Sequence, residues 1–600
     1  MIPDLSLPAL RRAYADGVTT PAEVLADIGR RAETYADRNI WIHRLDAAEL
    51  QPYLDRLGEL DPASHPLWGI PFAIKDNIDL AGIPTTAACP AFSHTPERSA
   101  TVVEKLLAAG AIPVGKTNLD QFATGLVGSR SPYGACANAF NPEYISGGSS
   151  AGSAVAVALG LASFSLGSDT AGSGRVPAGF NNLVGVKPSR GLLSARGMLP
   201  ACQSLDCMSI FALNCDDAAE LLALSEGEDV EDPYSRANPY RNNRRHYGRW
   251  QGELTIGAIA EEQLRFFGDE AYAQSYLETM EQLAQAGAEI VPIDYTPFDT
   301  AARLLYEGPW VAERYIAASP LIEQQPDALL PVTYGIIAPG REAPAIELFR
   351  AQYQLETLKR TVRETLARID CLLTPTAGRL FTLAEIAEEP VRRNSELGYY
   401  TNYMNLLDLC SLAVPAGFTK AGLPFGITLV ADTFDDRKLL SIANRLQALF
   451  GLPQGTTGLT YREPSYQPAG DKKQIPVVVC GAHMEGLPLN WQLTERGAKL
   501  LERTTTSPHY RLYALAGGPP LRPGLIRADH GAAIEVEIWS VPEQAFGSFV
   551  AGIPSPLGIG KLEMIDGRME SGFICEPWGV EGAEEITSLG GWRAFLARSA

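Results

Sequence analysis

The residues best suited to chemistry lie in two Gly/Ser-rich stretches, Gly147-Gly148-Ser149-Ser150-Ala151-Gly152-Ser153 and Ser168-Asp169-Thr170-Ala171-Gly172-Ser173-Gly174-Arg175. Each opens a predicted helix. Helix N-termini turn free N–H groups outward and carry positive potential, so the amides of Thr170, Ala171, Gly172 and Ser173 are expected to form an oxyanion hole. A serine hydroxyl attacks a carbonyl only with a base at hand. Histidine is the common base, but there are only seven, and none lies between His94 and His246. Lys75 is the better candidate, because it ends the apolar run Ile70-Pro71-Phe72-Ala73-Ile74. A free lysine titrates near roughly 10.4 and is a poor base; burial disfavours its charged form. Ser149 and Ser150 compete for the position between such a lysine and Ser173.

The motifs GIPFAIKDN (69–77), GGSSAGS (147–153) and DTAGSGRVPA (169–178) together resemble the amidase signature family, over roughly residues 1–455. The resemblance implies Ser173 as nucleophile, Ser149 as relay and Lys75 as base. It also implies a cis peptide at Gly148–Ser149 and an α/β fold with a central mixed sheet flanked by helices. Asp169 and Arg175 are expected to brace the nucleophile turn by a charge-assisted bond. Gly110 to Thr117 formally matches the phosphate-loop pattern, but Ala111 to Val114 reads as a strand and Pro113 removes a donor, so nucleotide binding is not expected.

The segment LYEGPWVAERY (305–315) offers a phenol at Tyr306 and a planar cation at Arg314. Pro309 suits a helix start, which places Tyr306 just before that helix and Arg314 about one and a half turns into it. With LGYYTNYMNLLDLCSLAVPAGF (397–418), it is similar to the allophanate hydrolase branch of the family. That resemblance implies that Tyr306 and Arg314 bind the carboxylate of a small anionic amide; backbone groups of the loop FATGLVGS (122–129), including Gly125, are expected to orient its urea-like part. The alternatives within the family are an amidase for another small amide and an ammonia-supplying amidotransferase subunit.

The elements that must hold these residues follow a simple pattern: strands alternate with helices through most of the chain. Strands are expected at 70–74, 111–115, 163–167, 254–260, 288–294, 370–376, 411–418 and 424–431, with helices at 101–109, 153–162, 269–286, 343–368 and 437–451. Such alternation implies a parallel or mixed sheet covered on both faces. Residues 456–473, polar and rich in Pro and Gly, read as a linker. Beyond them, strands at 475–484 and 534–541 begin a small α+β domain, 474–600. It resembles the extra domain of allophanate hydrolases, related to the γ-glutamylcyclotransferase-like fold, on VCGAHMEGLPLN (479–490) and RPGLIR (522–527). His483 sits in the turn that binds a small acid in related domains.

The 600 residues exceed one core, and 46% apolar with 20% charged residues is ordinary for a soluble protein. A net charge of −20 argues against nucleic-acid or anionic-membrane partners. The densest basic run, Arg241, Arg244, Arg245 and Arg249, reads as a solvated loop. The N-terminus has no signal-peptide pattern and there is no run of roughly twenty apolar residues. Nine scattered cysteines without metal-ligand spacing suggest reduced thiols, no metal and a cytoplasmic setting, with Cys202 and Cys207 as packing residues. No cofactor is expected, and a homodimer is.

Overall fold

The computed structural model describes residues 4–238, 247–248, 250, 253–460 and 474–599. The basic run at Arg241, Arg244, Arg245 and Arg249 lies outside them, as do residues 461–473 of the expected linker. Two compact units separate among the described residues, one ending at 460 and the other beginning at 474.

The first unit is built on eleven strands: β1 (Trp41–Arg44), β2 (Pro71–Lys75), β3 (Ile112–Thr117), β4 (Phe164–Asp169), β5 (Val184–Lys187), β6 (Cys207–Ala212), β7 (Thr255–Ile259), β8 (Glu289–Ile293), β9 (Cys371–Pro375), β10 (Cys410–Phe418) and β11 (Pro424–Ala431). They form one sheet in the order β1-β3-β2-β4-β6-β5-β10-β11-β9-β7-β8. The sheet is mixed: β2 runs parallel to β3 and β4, while β4–β6 and β10–β11 are antiparallel. β2, β3 and β4 are buried at every position rather than at alternate ones. That pattern belongs to strands covered on both faces, and in β2 it gives the near-continuous apolar run Pro71-Phe72-Ala73-Ile74.

Helices carry the capping signals expected of them. Pro21–Thr34 and Ala47–Leu57 each begin with a capping box, at Thr20 with Glu23 and at Asp46 with Glu49. Asp436–Phe450 ends at Gly451 in the left-handed region (φ 59°). The stretch Gly110 to Thr117 runs into β3 instead of forming a loop before a helix, so it offers no phosphate cradle. The Thr456 amide and hydroxyl both donate to the Ala158 carbonyl, which ties the beginning of the expected linker to the first unit.

The second unit is β-rich. Its strands are β12 (Gln474–Val479), β13 (Lys499–Thr505), β14 (Tyr510–Ala514), β15 (Pro523–Arg527), β16 (Glu535–Pro542), β17 (Leu557–Glu563), β18 (Met569–Cys575) and β19 (Glu584–Glu585). They form a five-stranded sheet, β13-β16-β12-β18-β17, and a three-stranded one, β15-β14-β19. It has its own core, in which Val477, Ile538, Tyr510 and Trp592 are buried. All nine cysteines of the chain are buried free thiols. No helix among the described residues is long and apolar enough to cross a membrane, and no described group of three His, Cys, Asp or Glu side chains is placed to hold a metal.

Candidate active site

Parallel register sets Ile74 of β2 beside Leu166 of β4, so Lys75 emerges next to the C-terminal end of β4. Carboxyl ends of strands are where α/β sheets gather ligand-binding groups. Lys75 is fully buried, and its Nζ donates to Ser149 Oγ and Ser168 Oγ, each at 2.7 Å. No carboxylate among the described residues pairs with it. Burial brings its pKa down from 10.5 to about 7, against the pull of Asp120, Asp206 and Asp169. The neutral amine is thus brought within reach near pH 7.

Ser149 is presented by a cis Gly148–Ser149 peptide ahead of the helix Ala151–Ala158. Gly148 cannot be exchanged for a larger residue, since a Cβ there would lie 2.1 Å from Asp120 Oδ2 and 2.6 Å from the Gly128 nitrogen. Ser150, the rival for the relay, points elsewhere: its hydroxyl donates to the Ser168 carbonyl at 3.1 Å. Asp120 holds the neighbouring loop, accepting from the amides of Val127, Gly128 and Arg130 at 2.9–3.1 Å.

Ser173 lies in the turn between β4 and the short helix Val176–Phe180, 2% exposed. Its hydroxyl donates to no described residue, so the Lys75–Ser149 contact is formed and a Ser149–Ser173 hydrogen bond is not. Asp169 and Arg175 brace this turn in a fully buried two-point pair at 2.8 and 2.9 Å. The segment after Leu397 locks the pair from the other side: Thr401 O accepts from Arg175, and Asn405 Nδ2 donates to Asp169 O at 2.8 Å. The expected oxyanion hole needs one correction. The Gly172 amide donates to Asp169 Oδ1 at 3.0 Å and is already engaged, because the carboxylate reaches across its own turn. The amides of Thr170, Ala171 and Ser173 donate to no other described residue. Thr170 is fixed by its hydroxyl, which donates to Asp206. Burial pushes Asp206 up to about 6, against hydrogen bonds from Thr170 and the Ala201 amide. Cys202 and Cys207 are buried, and burial pushes Cys202 up to about 12, so neither competes as nucleophile.

Tyr306 and Arg314 come together, though not as expected. Tyr306 is in the last turn of the helix Thr296–Glu307, and Arg314 is in the first turn of the next, Val311–Gln324. Gly308 and Pro309 break the chain between them. The Arg314 guanidinium lies over the Tyr306 ring, 5.1 Å from its centroid, and Nη2 donates to the phenol oxygen at 3.2 Å. Nη1 donates to Thr124 Oγ1 at 3.1 Å. Arg314 is 2% exposed, forms no ion pair among the described residues, and its Nε is buried without a partner. Gly125 follows Thr124 in this loop; a Cβ on it would meet Asp120 Oδ2 at 2.7 Å. Arg130, which no sequence motif singles out, is also buried with an unpartnered Nε. It lines a cavity of about 390 Å³ with Tyr306 and Asn394. Ser168, Asp120 and Asp206 are further site residues that sequence reasoning misses. Only Ser168 leaves a trace, as a polar residue sharing a strand face with Phe164 and Leu166.

In the second unit His483 lies in the turn after β12. Its Nε2 is 2.8 Å from Gln492 Oε1, and its ring stacks on Phe573 at 4.9 Å. Burial lowers its pKa to about 4, leaving the imidazole neutral at physiological pH. The turn is pinned by Glu537 of β16, which accepts from the Glu485 amide at 2.7 Å.

The profile of the family described as Amidase matches residues 23–440, and the chain belongs to that family. A second profile, the allophanate hydrolase C-terminal domain, matches residues 475–597. More particularly, the chain is 45% identical over 549 residues to a urea amidolyase of Saccharomyces cerevisiae, covering 88% of this chain and 30% of that protein. The chain thus spans less than a third of that relative's length. The solved structure of a Kluyveromyces lactis allophanate hydrolase is 39% identical, with 99% of each chain covered and a TM-score of 0.74. One of the glutamyl-tRNA(Gln) amidotransferase subunits, from Synechococcus sp. (strain CC9311), is 36% identical over 425 residues, 66% of this chain and 86% of that one.

Proposed function

We propose that this chain is an allophanate hydrolase, cleaving the terminal amide of allophanate (urea-1-carboxylate) through an acyl-enzyme on Ser173. The carrying observation is a buried Lys75 held by two serine hydroxyls and no carboxylate, together with a buried Arg314 that has no carboxylate partner among the described residues. The first supplies a base and the second calls for an anionic substrate.

In this reading Lys75 keeps one N–H on Ser168 and turns its lone pair to the Ser149 proton, while Ser149 takes the proton of Ser173. The Ser149–Ser173 contact closes when substrate is bound. Ser173 attacks the terminal carbonyl, and the free amides of Thr170, Ala171 and Ser173 receive the oxyanion. Arg314 and Tyr306 hold the carboxylate, and backbone groups near Gly125 hold the urea-like part. Ammonia leaves with the proton returned along the relay, and water releases N-carboxycarbamate from Ser173. The second unit, a γ-glutamylcyclotransferase-like domain in this reading, takes up that product and assists its decarboxylation, with His483 in the pocket.

Ammonia release from allophanate, biuret, urea and malonamate tests the substrate. A strong preference for allophanate is expected. A preference for neutral amides points to another small-amide amidase or an ammonia-supplying subunit. Turnover by Ser173→Ala at near wild-type rate removes the mechanism.

A further inference from the structure

The second unit contains a small cavity of about 50 Å³, room for a compact ligand only. Its wall is mostly carbon, from residues such as Val479, Leu489, Ile553 and Phe573. The charged and polar side chains on it are His483, Gln492 and Arg522. His483 and Gln492 satisfy each other. Cys480 is no nucleophile, since burial pushes its thiol up to about 12. Arg522 differs: its side chain makes no hydrogen bond or ion pair among the described residues, and its Nε is buried without a partner. A buried donor left unmatched costs about 1–3 kcal/mol, and more when charged. Arg522 as a whole is half-buried, and with no counter-ion among the described residues it would be matched by an anion placed in that cavity.

We propose that Arg522 anchors one carboxylate of a small dicarboxylate in this cavity and leaves the other against the carbon wall beside His483. This rests on the reading of the second unit given above and adds which end of the molecule is kept. In N-carboxycarbamate the unanchored carboxylate loses its hydration without gaining a counter-ion. Departure as neutral carbon dioxide relieves that. The C–N bond to it breaks, its electron pair stays on nitrogen, and nitrogen takes a proton from water. The product is carbamate, still held on Arg522 until it leaves. The neutral imidazole suits this division of roles, because a charged one would stabilise the carboxylate that has to go.

The test uses the full chain with ¹³C-labelled allophanate and follows the first equivalent of ammonia and carbon dioxide separately. Arg522→Gln is expected to release the first ammonia at the wild-type rate, while early carbon dioxide release falls at least about tenfold, as for losing a charged hydrogen bond. Arg522→Lys, which keeps the charge, is expected to recover part of it. His483→Ala separates the two ideas. If His483→Ala delays carbon dioxide and Arg522→Gln does not, the anchor is overturned and the reading of the unit stands. If neither delays it, the reading of the unit falls. As a binding check, malonate is titrated into an Arg314→Gln chain, in which the first unit's cation is gone. It is expected to shift the His483 ring resonances, and the shift is expected to vanish on adding Arg522→Gln. No shift in the Arg314→Gln chain overturns the proposal.

Discussion

Lys75 on β2 and Lys116 on β3 lie fully buried one strand apart, with Ile74 opposite Lys116 in the register. Lys116 has a counter-ion: its Nζ is 2.9 Å from Asp76 Oδ1, and it also donates to Thr85 Oγ1 at 2.8 Å. Lys75 has two serine hydroxyls and no carboxylate within pairing distance. Both are desolvated, and both pKa values are lowered by burial. In the proposed mechanism, what separates a structural lysine from a proton acceptor is one carboxylate, Asp76, which follows Lys75 in sequence but turns to the neighbouring strand's cation.

The comparison is broken most sharply at Lys75. Lys75→Met should lower amide turnover by about 10³-fold or more, as expected for losing a general base and its activated nucleophile. It should also stabilise the fold below pH 7. Folding depresses this pKa, so the unfolded chain binds the extra proton between about 7 and 10.5. The stability cost of Lys75 is complete below pH 7, shrinks as pH rises through that window and is gone above it. Melting temperatures of wild type and variant across pH check both the sign and the window.

Lys116→Met should do the reverse. It leaves Asp76 as an unpaired buried carboxylate, at a cost of about 3–5 kcal/mol. Denaturant titration checks this, and Asp76→Asn/Lys116→Met should regain most of the loss. If Lys116→Met were instead as inactive as Lys75→Met at full stability, the division of roles would be wrong.

How much of this is legible in the sequence depends on the residue. β2, β4 and the two Gly/Ser turns can be read because burial on both faces makes a strand uniformly apolar, so a polar residue at its end stands out. Lys75 is such a residue, while Ser149 stands out through its Gly/Ser-rich turn before a helix. The difference between Lys75 and Lys116 cannot be read, because both end apolar strands and their partners are fixed only by packing. Arg130 and Asp120 leave no signal, since a lone charged residue in a loop reads as solvated. Only the folded loop shows Asp120 accepting from the Val127 and Gly128 amides and Arg130 donating to the Thr124 carbonyl. The loop at Phe122 and Ala123 is hidden for another reason. Both residues adopt positive φ (52° and 51°), a conformation that local propensity does not favour. The place of Tyr306 differs from expectation because Pro309 signals the start of one helix, whereas Gly308 also ends another.

Two smaller effects sharpen the comparison further. The kcat/KM for a terminal amide should rise about tenfold per pH unit up to about 7 and then level, because only neutral Lys75 accepts a proton. Arg314→Gln, besides raising KM for anionic amides, removes a cation that helps keep Lys75 neutral. The midpoint of the pH profile measured with a neutral amide should therefore move slightly upward.

The burial of every thiol gives the molecule its own timer. Seven cysteines belong to the first unit, and Cys480 and Cys575 belong to the second. A bulky alkylating reagent can reach a sulfur only during a transient opening, so the order in which the nine are tagged, read by peptide mass, reports which half breathes first.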